Sequence, residues 1–334
     1  MSRKMKVVVT DYVEPDLKWE EEELTRRGVH FEYHQLKFRP LTEVAAKVRD
    51  ADIIVVNMVN MPRELVEQLE KCRVVIRHGA GYDNVDVDAL TERGIPLAYV
   101  PDYCVDEVAE QAIALILACG RKVVWSRKIL EESSARGAWD FTDAVPIYRL
   151  GGKKIGIIGC GRIGSRVYLK LKSFGFQFLI CDPYLPQNKL DELGITTVDH
   201  ETVFRDADFI TLHTPLTDET RHMANARTLA LMKPTAYLIN TSRGPMVDEE
   251  ALAVALRNKQ IAGAAIDVFE KEPPDPSHPL FGLDNVILTP HLAWYSEDAA
   301  WSIREKVLQD IDLAVEGKPP RFCVNPSVLE KKTT

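Results

Sequence analysis

Short, continuously apolar runs recur along this 334-residue chain, and longer helical patterns separate them. Lys6–Thr10, Ala51–Asn57 and Val74–Arg77 are the first of these runs. A strand that is apolar along its whole length is buried on both faces, and a helix between strands makes the crossover that a parallel pair needs. The pattern then restarts: Lys154–Gly159, Gln177–Asp182, Phe209–His213, Ala236–Asn240, Gly263–Val268 and Val286–Thr289 form a second series. The fold class expected is α/β, with two doubly wound parallel-sheet domains and a cleft between them. At roughly 150 residues per domain, the length also gives two.

Between the two series a helical pattern is expected from Asp106 to Ser133, followed by an irregular stretch to Leu150. A last helical pattern, Ser296–Glu316, follows the final strand and is placed with the first series. The domains expected are therefore residues 1–103 plus 297–334, and residues 104–296. The polar end, Lys331–Thr334, is expected to fray.

Composition narrows the function. With 42 Lys and Arg against 50 Asp and Glu, the net charge is −8, which argues against a protein that tracks nucleic-acid phosphates. None of the 6 cysteines forms a Cys-x-x-Cys pair, so no metal site is expected. The uncharged stretch Ala112–Gly120 falls far short of the roughly 20 residues needed to cross a bilayer. No secretory signal precedes the first strand, and the expected compartment is the cytoplasm.

Gly159-Cys160-Gly161-Arg162-Ile163-Gly164 fits G-x-G-x-x-G. The pattern alone is weak, but here it follows a strand, opens a helix expected over Ser165–Phe174, and is followed by an acid, Asp182, at the end of the next strand. Gly159 allows the tight turn, Gly161 lets backbone approach a pyrophosphate, and Gly164 lets helix and strand pack closely. The helix start supplies N–H groups to the anion. Asp182 would accept hydrogen bonds from a ribose and repel a 2′-phosphate, so NAD is expected in preference to NADP.

Three further residues follow strands of the second series, at the end where open α/β sheets bind ligands. Arg243 follows Asn240, Glu272 follows Phe269, and His291 follows Leu288-Thr289-Pro290. A guanidinium can clamp a carboxylate through two parallel bonds. An imidazole can pass a proton to or from an oxygen, and a neighbouring carboxylate favours its protonated form.

Together with Asn240-Thr241-Ser242-Arg243-Gly244, Asp267-Val268-Phe269, Glu272-Pro273 and Thr289-Pro290-His291, the glycine motif resembles the D-2-hydroxyacid dehydrogenase family over nearly the whole length. His291-Leu292-Ala293-Trp294-Tyr295-Ser296-Glu297 and Arg77-His78-Gly79-Ala80-Gly81-Tyr82-Asp83-Asn84 are most similar to its C-terminal binding protein-like branch, with Leu292 replacing the usual small residue. The resemblance implies Rossmann-like domains, the first a flavodoxin-like substrate domain and the second NAD-binding, with a dimerisation segment around 104–150. It implies His291 as acid and base, Glu272 as its partner, and Arg243 on the substrate carboxylate. Asp267 would hold the nicotinamide carboxamide. Thr214, Pro215 and Thr220 would lie along the adenosine and pyrophosphate, with Thr241 and Ser242 also at the cofactor. Backbone N–H groups of Gly79, Ala80 and Gly81 would meet the substrate, with Arg77 as a second cation and Trp294 as an apolar wall.

The function expected is NAD-dependent hydride transfer between nicotinamide C4 and C2 of a small 2-keto or 2-hydroxy acid, in a homodimer. The alternative is a corepressor-like, NAD(H)-gated peptide-binding protein. The chain ends 9 residues after Asn325, without the long tail of that class, and so favours the enzyme. His213, His222 and His278 are expected to be structural or exposed.

Overall fold

The computed structural model describes residues 4–330; the expected fraying at Lys331–Thr334 lies outside them. The chain divides into two compact units, Met1–Cys104 with Ser296–Thr334, and Val105–Tyr295.

The first unit holds a five-stranded parallel sheet: β1 (Lys6–Val9), β2 (His30–Tyr33), β3 (Ile53–Val56), β4 (Val74–Arg77) and β5 (Leu97–Tyr99), in the order β2-β1-β3-β4-β5. Alternating side chains divide between two cores. Val8, Ile54, Val56, Val75 and Leu97 face one, whereas Val7, Val9, Ile53, Val55, Val74 and Ile76 face the other. Ile303, Val307, Leu308 and Ile311 of the Glu297–Val315 helix complete that second core. Ser296 caps the helix by accepting from the Ala299 N–H at 2.8 Å.

The sequence does not announce β2 or β5. His-Phe-Glu-Tyr at β2 is an edge strand with polar residues, and β5 is three residues behind Pro96. Both are held by their neighbours in the sheet rather than by an apolar signal of their own.

The second unit holds six parallel strands: β6 (Lys154–Ile158), β7 (Gln177–Cys181), β8 (Phe209–Leu212), β9 (Tyr237–Asn240), β10 (Gly263–Ile266) and β11 (Val286–Leu288). Their order is β11-β10-β9-β8-β6-β7, so β6 sits where successive crossovers run in opposite directions. That switch point opens a crevice at the C-terminal strand ends, which is where such sheets take ligands. All six runs read as strands in the sequence are strands here.

The helical pattern before β6 is two helices, Val105–Arg121 and Val123–Ala135. Lys122 breaks them, with a left-handed φ of 54°. Among the described residues no helix is long and apolar enough to cross a membrane.

Candidate functional site

The turn after β6 is built from its glycines. Gly159 has a φ of 87°, in the left-handed region, and any Cβ there would lie 2.7 Å from the His213 carbonyl carbon. A Cβ on Gly164 would lie 2.0 Å from the Gly159 carbonyl oxygen, so only glycine lets this helix pack against the turn. Gly161 is different: a Cβ there would meet nothing within 4 Å. The helix begins three residues earlier than its sequence pattern, at Arg162, because Gly161 is its N-cap. No side chain caps it. Cys160 is buried, and burial with the Asp182 charge pushes its thiol up to about 11, so it is an inert filler of the turn. Ile163 packs on the core below.

Asp182 stands at the end of β7, against this turn. One carboxylate oxygen accepts the Cys160 N–H at 2.8 Å, and the other accepts the Tyr184 N–H at 3.0 Å. Across the crevice, Ser242 Oγ donates to the Thr214 carbonyl at 2.7 Å and ties the ends of β8 and β9 together. The Thr220 hydroxyl turns inward onto the Pro215 carbonyl at 2.8 Å and shapes that loop from within. Thr241 Oγ1 is buried and has no hydrogen-bond partner. His213 Nε2 lies 2.9 Å from Thr211 Oγ1, its Nδ1 is buried without a partner, and burial pushes its pKa down to about 3.

Arg243, Glu272 and His291 follow β9, β10 and β11 in turn. Asn240 folds the first of these turns: its amide donates to the Arg243 carbonyl at 2.8 Å and accepts the Ser242 N–H at 3.0 Å. The next residue, Gly244, packs directly on the Glu272 loop. A Cβ there would stand 1.9 Å from the Phe269 carbonyl carbon and 2.4 Å from the Glu270 nitrogen.

Glu272 and His291 meet. Glu272 Oε2 lies 2.8 Å from His291 Nδ1, and Glu272 Oε1 accepts the Phe269 N–H at 3.1 Å. Burial acts to raise the Glu272 carboxyl, but the His291 hydrogen bond and charge, the Phe269 N–H and the Arg243 charge outweigh it and hold it below the usual range. Glu272 is therefore an anion at neutral pH, and its bond to Nδ1 leaves Nε2 of the ring for other chemistry.

His291 has a φ of 55°, uncommon for a residue with a side chain. Asp267 imposes it. Asp267 is fully buried, and its backbone oxygen accepts the His291 N–H at 2.7 Å. Its carboxylate accepts the Leu292 N–H at 2.9 Å, the Ala293 N–H at 3.0 Å and the Thr289 hydroxyl. Of about four acceptor positions on a carboxylate, three are used here. What Asp267 visibly does is set the turn that carries His291. Trp294 follows on that turn, with its ring edge-on to Tyr295 at 5.3 Å, while Leu292 is exposed.

In the first unit, Arg77 ends β4, and its guanidinium donates to the His78 carbonyl and lies 3.4 Å from Asn57 Oδ1. The Gly79 N–H donates back to the Arg77 carbonyl at 2.9 Å. This departs from the sequence expectation, since Gly79 has no N–H left to offer. The N–H groups of Ala80 and Gly81 are not taken up within the described chain.

Residues 113–293 match the family described as D-isomer specific 2-hydroxyacid dehydrogenase, NAD binding domain. The chain belongs to that family. The glyoxylate reductase of Korarchaeum cryptofilum is 37% identical over 292 residues, covering 86% of this chain and 86% of that protein. The D-3-phosphoglycerate dehydrogenase of Methanocaldococcus jannaschii is 40% identical over 293 residues, covering 87% of this chain, which spans only 55% of that protein's length. Among solved structures, the D-lactate dehydrogenase of Aquifex aeolicus, in complex with NAD and lactic acid, superposes with a TM-score of 0.83 at 28% identity, covering 97% of this chain and 98% of that one.

The NAD-binding domain of this dehydrogenase family fits the cradle described above. The open space over Gly161, the uncapped helix behind it, the Asp182 carboxylate and the orphaned Thr241 hydroxyl all lie at the C-terminal ends of the strands. Two residues that the sequence does not single out, Glu249 and His278, touch the loop after β10 through the Glu270 N–H and the Phe269 ring. His278 reads in the sequence as structural or exposed, and nothing in the spacing of the two joins them.

Proposed function

We propose that this protein is an NAD-dependent D-2-hydroxyacid dehydrogenase that interconverts a small 2-keto acid and its 2-hydroxy acid. The observation that carries the reading is the Glu272–His291 pair at 2.8 Å, with Arg243 close enough to lower the same carboxyl. Bound NAD(H) supplies or accepts the hydride at the substrate C2. This chain's residues do the rest. The Arg243 guanidinium binds the substrate carboxylate and polarises the C2 oxygen. His291 gives its Nε2 proton to that oxygen in reduction and takes it back in oxidation. Glu272, held anionic, orients the ring through its bond to Nδ1. The balance is 2-keto acid, NADH and a proton to 2-hydroxy acid and NAD.

Gly159–Gly164 with Asp182, Thr214, Pro215, Thr220, Thr241 and Ser242 form the cofactor site in this reading. Arg77, Ala80, Gly81 and Trp294 contact the substrate. NAD is preferred because Asp182 repels a 2′-phosphate, and no arginine stands in Pro183-Tyr184-Leu185 to receive one. The names of the relatives make glyoxylate, pyruvate and the keto acid of 3-phosphoglycerate the first acids to try, with hydroxypyruvate beside them and phenylpyruvate probing the Trp294 wall.

We also propose a homodimer through the segment around 104–150. In this single chain Trp139 is 88% exposed and Phe141 69% exposed, with Val123, Val124 and Leu130 also uncovered, an apolar concentration that soluble monomers seldom leave bare. Light scattering that gives a monomer at micromolar concentration would refute it. The test of the activity is NADH consumption across the acids named, with His291→Gln as the control.

A further inference from the structure

A second histidine–carboxylate pair touches the same loop, at Phe269 and Glu270. Glu249, the opening residue of the Glu249–Arg257 helix, is buried and points back toward the β10 end. Its Oε2 lies 2.8 Å from His278 Nε2, and its Oε1 accepts the Glu270 N–H at 3.0 Å. His278 Nδ1 accepts the Leu280 N–H at 3.4 Å, which leaves Nε2 as the protonated nitrogen that donates to Glu249. The imidazole is also wedged between rings. Phe269 stands edge-on at 5.3 Å and Phe281 lies at 5.3 Å. Unlike the Glu272–His291 pair, this one is shut away from water, with side chains only 11% and 8% exposed.

What the pair holds is the segment 269–272. Phe269 packs its ring on His278 and gives its N–H to Glu272 Oε1, and Glu270 gives its N–H to Glu249. Glu272 thus takes its position from two neighbours that are both fixed by the buried pair. The other charged groups on the loop are engaged elsewhere: the Glu270 side chain with His222, and Lys271 with Asp275. Besides His291, Arg243 is the charge that bears on Glu272 itself.

We propose that Glu249 and His278 are positioning residues for the reaction, fixing through the Glu270 N–H and the Phe269 ring the loop that presents Glu272 to His291. A carboxylate held about 1 Å off target forfeits much of its effect on the imidazole, because hydrogen-bond strength falls steeply with distance and angle. The inference rests on the dehydrogenase reading, so its test has one arm that needs no turnover.

Glu249→Ala removes both acceptors. Glu249→Gln keeps one, since its terminal amide can accept on only one atom, and so serves as the partial rescue. In the Ala variant kcat for keto-acid reduction falls about 10-fold, with KM for NADH and keto acid within about twofold, and the alkaline limb of the rate moves to lower pH. The Gln variant lies between Ala and wild type. In the independent arm, NMR of 13C-labelled histidine, with the His291 signal assigned from His291→Gln, shows the His291 midpoint falling in the same order. A wild-type enzyme inactive on every keto acid would overturn the dehydrogenase reading and leave the NMR arm to decide the positioning. If Glu249→Ala does not fold, Glu249→Gln decides alone. A folded variant with unchanged kcat and an unmoved His291 midpoint, or a loss confined to KM for NADH, overturns the proposal.

Discussion

Gly244→Ala is the smallest change that should separate Glu272 from His291. Gly244 needs no left-handed φ, so the alanine backbone is unstrained and the effect is purely one of contact. The added Cβ would fall 1.9 Å from the Phe269 carbonyl carbon, 2.1 Å from its oxygen and 2.4 Å from the Glu270 nitrogen. Ordinary contact begins near 3.4 Å, so about 1.5 Å must be recovered between two stretches of backbone. Neither can rotate away as a side chain would. Glu272 lies two residues beyond Glu270, and its bond to His291 is 2.8 Å long. A shift of even 1 Å would lengthen it past hydrogen-bonding range. A misplacement of that size costs about 10²-fold in rate, and overpacking of this kind costs about 1–3 kcal/mol of stability. For a domain of this size that is about 2–4 °C of Tm per kcal/mol. The assay is kcat/KM for NADH-dependent keto-acid reduction beside a thermal melt of the same samples. An alanine variant with wild-type kcat/KM and Tm would refute the reasoning.

Other outcomes follow from the same geometry. Gly161→Ala, whose Cβ meets nothing within 4 Å, leaves Tm unchanged in the absence of cofactor but weakens NADH binding at least about 10-fold by fluorescence titration; unchanged affinity would remove Gly161 from the cofactor site. Glu272 is held below the ordinary glutamate value of 4.5, so its pairing contributes above that value and is lost as pH falls through the lower folded one. Glu272→Gln should therefore lower Tm at pH 7, and by progressively less as the pH is taken below 4.5; a loss that stays constant with pH would contradict the assignment. His213 falls to about 3 in the fold against 6.5 unfolded, so it takes stability away as pH drops below 6.5, by up to about 1.4 kcal/mol per pH unit. His213→Gln should make the protein less acid-labile across that window in denaturant titrations; an unchanged slope would count against its burial.

The second unit was far more legible in the sequence than the first. Its strands are continuous apolar runs, and each ends at the motif it carries, so the sequence by itself places Gly159, Asp182, Arg243 and His291 after strand ends. In the first unit β2 and β5 escaped notice because one is a polar edge and the other three residues long. The break at Lys122 was invisible because lysine is a good helix former, and only its left-handed backbone marks the corner. Contacts that depend on chain reversal were also hidden. The Gly79 N–H turns back on Arg77, and Asp267 gives three of about four acceptor positions to the His291 turn, and neither contact is announced by local spacing. The Glu249–His278 pair spans 29 residues and lies across a turn, so no local spacing could announce it.

The central claim is that one guanidinium and one carboxylate-backed imidazole serve hydride exchange with a 2-oxo acid. Reduced nicotinamide consumed per D-2-hydroxy acid formed, measured by absorbance and chiral chromatography over the acid panel, tests it most directly. One-for-one stoichiometry is expected on at least one acid, with turnover cut about 10²–10⁴-fold in His291→Gln. NADH that binds wild type tightly yet is oxidised by none of the acids, or oxidised equally well by His291→Gln, would contradict it.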